Sequence, residues 1–150
     1  MLEITIHPIG ILVAGIAGYT IGMLWYSPAL FMKPWLSGLG KTEDDLKKPT
    51  EYRSKLYMMG LMIYTLIVCI VVAFALSSIL NLIGAKTILE TVGVSMLLCF
   101  GFIVTVKFTD MLYTLDGPHW GIRAQKLFFV NAGYYVVMFI TMGIILHYLS

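Results

Sequence analysis

Four apolar runs constrain this chain more than any other feature of its sequence: roughly Ile9–Tyr26, Leu56–Leu80, Ile88–Val106 and Leu127–Leu149. Each is near the ~20 residues an α-helix needs to cross a bilayer. A backbone in hydrocarbon must satisfy its own hydrogen bonds, so such runs fold as helices and not as open sheets. Composition agrees. Only 12% of the residues are charged and 59% are hydrophobic, whereas a soluble domain carries about a quarter charged residues. The expected fold is all-α and polytopic: residues 1–150 form a single domain, with four transmembrane helices in an antiparallel bundle.

The first run is read as a retained span and not a signal peptide. Glu3 is the only charge before it, and no small-residue cleavage motif follows. Orientation follows from the basic residues. Lys33, Lys41, Lys47, Lys48, Arg53 and Lys55 lie in connection 27–55, and Arg123 and Lys126 lie between spans 3 and 4, with Lys107 at the edge. The opposite side holds only Lys86. The positive-inside rule then puts both basic connections in the cytoplasm and both termini on the extracytoplasmic side. The net charge of +2 comes with no basic stripe on a soluble region, so no nucleic-acid partner is expected.

Within this frame a few local patterns stand out. Gly10, Ala14, Gly18 and Gly22 make a repeated small-xxx-small stripe on span 1. It suits either a homo-oligomer seam or close packing inside one bundle. Thr42 with Asp45 reads as a capping box opening a short surface helix near 43–48, stopped by Pro49. Thr50 with Glu51 reads as a second cap, starting the next helix near 51. Glu90 is read as an interfacial carboxylate, and Asp116-Gly117-Pro118 as a turn. "MLWYSP" and "MLYTLDGPHW" close spans 1 and 3, a weak echo of a parallel repeat.

The unusual polar groups gather at one depth. Trp25, Tyr26 and Ser27 end span 1. Lys107 and Asp110 lie three apart on one face of span 3, while Asn131 and Tyr134 lie in the same half of span 4 and Arg123 just outside it. An aromatic belt with snorkelling cations accounts for part of this. An amide in hydrocarbon needs a partner, however, so Asn131 points to an inward-facing ligand pocket built by the cluster. No metal or cofactor is expected. Cys69 and Cys99 sit in mid-span without ligand spacing, and no catalytic signature occurs.

Trp25-Tyr26-Ser27-Pro28, continuing through Leu30, Phe31, Lys33 and Trp35, resembles the W-Y-S-P-x-L-F-x-K-x-W signature of an uncharacterised bacterial family of small four-helix membrane proteins, a domain of unknown function. The resemblance covers essentially the whole chain and implies a multi-pass protein of the bacterial cytoplasmic (inner) membrane, with no active site to carry over. Physically, Ser27-Pro28 stops the helix, while Leu30, Phe31 and Trp35 can anchor in the interface and Lys33 can reach lipid phosphates. The leading functional expectation is non-enzymatic binding or passage of a small solute or ion by a homo-oligomer in contact with membrane lipid. The alternatives are an accessory protein docking a partner through the basic connection, and a lipid-modifying or redox enzyme.

Overall fold

The structure, a computed structural model, describes residues 7–47, 54–114 and 120–149. Within them every regular element is helical: α1 (Pro8–Trp25), α2 (Met32–Gly38), α3 (Glu43–Lys47), α4 (Lys55–Ile83), α5 (Ile88–Leu98), a π-helical stretch (Cys99–Val104), α6 (Thr105–Tyr113) and α7 (Trp120–Leu149). Four helices are long and apolar enough to cross a membrane, the third being α5 through α6 as one rod, Ile88–Tyr113. That rod runs beyond residue 106, and α7 starts ahead of 127, because the polar residues there continue helices past the apolar runs. Large apolar side chains such as Leu89, Leu97 and Phe102 are exposed, as a lipid-facing surface requires.

Helix boundaries follow local chemistry. Pro8 occupies the first turn of α1, where a missing N–H costs nothing. Thr42 and Asp45 form the expected reciprocal cap, with the Thr42 N–H donating to Asp45 Oδ2 at 2.9 Å. Pro49 and the Thr50–Glu51 cap lie outside the described residues, as does the Asp116-Gly117-Pro118 turn. The described start of α4 is capped by Ser54, whose hydroxyl accepts from the Tyr57 N–H at 3.2 Å. Thr87 and Glu90 make a full capping box at the start of α5. Glu90 thus terminates a helix, and the T-x-x-E pattern was its signal.

α7 is the centre of the bundle. α1 packs against both α7 and α4, while α2, α5 and α6 pack on α7. Spans 2 and 3, although adjacent in sequence, touch little, and an apolar crevice of about 200 Å³ lies between Leu76 and Ile79 on one side and Phe102 and Ile103 on the other. Residues of α1 and α7 meet in opposite order: Gly10 faces Leu149, Gly18 faces Met138 and Met142, and Gly22 faces Tyr134. The small-residue stripe is therefore occupied within the chain. A Cβ at Gly10 would lie 2.9 Å from the Leu149 carbonyl oxygen, and Ala14 is fully buried. At Gly10, Gly18 and Gly22 the stripe serves close packing inside the bundle, one of the two readings its spacing allows.

Candidate functional site

The W-Y-S-P end of the bundle is built by a chain reversal. α1 ends at Trp25, the Ser27 hydroxyl donates to the Leu24 carbonyl at 2.7 Å, and the Phe31 N–H donates to the Trp25 carbonyl at 2.9 Å. The chain then turns back as α2, with Pro34 in its first turn and Leu36 buried on α7. Gly38 lets α2 close on Leu127, and Gly40, at φ +68°, makes the next turn with Arg123 laid against it. The connection is thus partly a packed element on α7.

Two indole and phenol donors dock α1 onto α7. Trp25 Nε1 donates to the Val130 carbonyl at 2.9 Å, and the Tyr26 hydroxyl donates to Asn131 Oδ1 at 2.9 Å. The Tyr134 hydroxyl donates to the Gly18 carbonyl at 3.4 Å. Rings close the gaps: Trp25 lies 4.4 Å from Phe31, Tyr26 lies 5.4 Å from Trp35, and Tyr26 lies 5.5 Å from Tyr134. Tyr26 follows α1 directly as its C-cap residue, and its backbone N–H donates to the Gly22 carbonyl at 3.1 Å.

The residues predicted from depth divide into groups. Trp25, Tyr26, Asn131 and Tyr134 come together as one lock. Lys107 and Asp110 pair at 3.0 Å and, with Asn131, line a small recess of about 80 Å³. The π-helical turn inserts one residue into span 3 and so sets which α6 face meets α7. Ser27 and Arg123 do not join either group: Ser27 bonds its own helix, and Arg123 lies over the Gly40 turn. Asn131 meets its need for a partner through Tyr26. Among the described residues no three His, Cys, Asp or Glu side chains are grouped for a metal, and Cys69 and Cys99 are both buried in the apolar core.

The larger opening at this end lies beside the lock. A groove of about 550 Å³ runs between α2 and α7, walled by Trp25, Phe31, Pro34, Ile122, Phe129 and Val130, with Gln125 and Lys126 also in its lining. Lys126 Nζ donates to the Ser37 hydroxyl at 3.3 Å. Sequence reasoning named Trp25 but missed the α7 wall. Its signal was the spacing of Ile122, Lys126 and Phe129, which places them on one helical face.

Residues 9–147 match a family model described as Protein of unknown function (DUF1761), and the chain belongs to that family. No curated protein and no solved structure matches it.

Proposed function

We propose that this protein is a non-enzymatic membrane protein that binds one acidic amphiphile, its apolar part in the groove between α2 and α7 and its acidic head at Lys126. The protein is read as an antiparallel four-span bundle with both termini outside, in the bacterial inner membrane, which puts this groove at the cytoplasmic interface. The observation that carries the reading is the groove itself. It has a predominantly apolar wall and an ammonium in its lining, and the Trp25–Val130 hydrogen bond ties α1 to α7 beside it. At about 550 Å³ it falls inside the ~300–1,000 Å³ range of small-molecule sites.

Binding is favoured over passage along one chain. Ala14, Ala73, Leu76 and Met142 are at most 2% exposed, so the bundle centre is packed with apolar side chains. Passage would need a route between copies. The docking alternative draws less support, since Lys33 and Lys47 face Glu43 and Asp44 at 3.8 Å and 2.9 Å.

The test is native mass spectrometry of the full chain released from nanodiscs that mix phosphatidylglycerol with phosphatidylethanolamine. The wild type is expected to retain one acidic lipid preferentially, and Lys126→Glu to lose that preference. Equal retention of both lipids by the wild type would refute the reading. So would an unchanged preference in Lys126→Glu.

A further inference from the structure

The opposite end of the bundle holds a second, half-open cavity, of about 260 Å³, lined by α4, α5, α7 and the turn joining α4 to α5. Its lining is more polar than that of the groove and includes Ser77, Asn81, Lys86, Thr91 and His147. Ser77 is the informative residue. Hydroxyls in apolar helices ordinarily bond back to the carbonyl four residues earlier. Ser78 does so to Phe74, Thr91 to Thr87 and Ser95 to Thr91, at 2.8, 3.0 and 2.8 Å. The Ser77 side chain makes no hydrogen bond among the described residues, although the residue is only 2% exposed and lines the cavity. No fully buried side-chain oxygen or nitrogen lacks a partner among the described residues, so the Ser77 oxygen opens on the cavity, where a guest can reach it.

Charge indicates which guest. Lys86 lines the cavity and has no ion pair among the described residues. Its nearest acid in sequence, Glu90, lines a separate groove, and its carboxylate accepts from the Lys86 and Thr87 backbone N–H groups at 2.8 and 3.0 Å. That carboxylate lowers the local potential without entering the cavity. Among the described residues the lining therefore presents an ammonium, an imidazole and an open hydroxyl, and no carboxylate. Charge-assisted hydrogen bonds from such donors favour an oxyanion. The volume lies just under the range for drug-sized ligands, which suits a small one. Asn81 holds the α4 side of the site by donating to the Ser77 carbonyl at 3.0 Å.

We propose that this cavity binds a small oxyanion of the short-chain carboxylate class, held by the Lys86 ammonium and the Ser77 hydroxyl. The site is independent of the amphiphile groove at the other end. Both could be occupied at once, since the packed centre separates them.

Fluorine NMR of trifluoroacetate added to the full chain in mild detergent tests the assignment. The wild type should broaden the signal saturably. Lys86→Met should weaken binding at least tenfold and Ser77→Ala several-fold, while Lys47→Ala, at an exposed lysine outside both sites, should bind like the wild type. Competition by acetate alone would identify a monocarboxylate site, and competition by acetate and phosphate together a general oxyanion site; either upholds the assignment. Absence of saturable broadening overturns it, as does equal affinity in the wild type and Lys86→Met, which would mean adsorption to the micelle. Unchanged affinity in Ser77→Ala overturns it too, because the free hydroxyl is what singles out this cavity. Equal thermal melting of the variants and the wild type shows that any loss is local.

Discussion

Replacing Gly15 with alanine tests the central packing claim, that α1 is pressed against α4 at backbone distance. A Cβ at Gly15 would stand 2.7 Å from Ile70 Cγ1 and 2.9 Å from Ile70 Cα. The side-chain carbon can rotate away, but the Cα moves only if the helices move. Carbon atoms prefer separations of about 3.5–4.0 Å, so α1 and α4 must part by roughly half an ångström along the contact. Overpacking of this kind costs about 1–3 kcal/mol. Alanine recovers about 0.5–1 kcal/mol through its better helix propensity. The net expectation is destabilisation by about 1 kcal/mol, with about 2.5 kcal/mol as the upper end. Gly93→Ala is the matched control, because no atom lies within 4 Å of its added carbon; it should be neutral or stabilising. The assay is thermal unfolding in mild detergent, followed by far-ultraviolet circular dichroism and tryptophan fluorescence. A Gly15→Ala variant as stable as Gly93→Ala would refute the close approach of α1 to α4.

Other outcomes follow from the same contacts. In a double-mutant cycle of Tyr26→Phe and Asn131→Leu, each single change strands one partner of a half-buried hydrogen bond. A coupling of about 0.6–1.7 kcal/mol is expected in unfolding measurements, and additive effects would dismiss the bond as a lock. Thr87→Ala removes the α5 cap and should cost about 1 kcal/mol, whereas Glu90→Gln, which keeps the capping geometry, should cost less; equal losses would count against the capping box. Cys99 is fully buried, so it should resist maleimide labelling in the folded protein and react once denatured, with mass spectrometry as the readout. Fast labelling under native conditions would mean that α5 is not packed as described.

The apolar runs alone were enough to set the number of helices that can cross a membrane, since length and hydrophobicity decide whether a segment can enter hydrocarbon, and neither depends on what the segment touches. The Thr42–Asp45 cap was readable for a similar reason: its two groups are three residues apart and meet through local geometry. Depth likewise brought Trp25, Tyr26, Asn131 and Tyr134 to one level. Rotation about each helix axis was not readable, because in lipid both the outer and the inner faces of a span are apolar and the periodicity that marks a core face fades. Only tertiary packing could therefore decide that Gly10, Gly18 and Gly22 face α7 within the chain, that α4 packs on α1 more than on α5, and that Asn131 spends its acceptor on Tyr26. The two cavities belong to the same category. Ser77 and Ser78 are adjacent and identical in type, and only the placement of α5 and α7 around α4 makes the first line a cavity while the second does not.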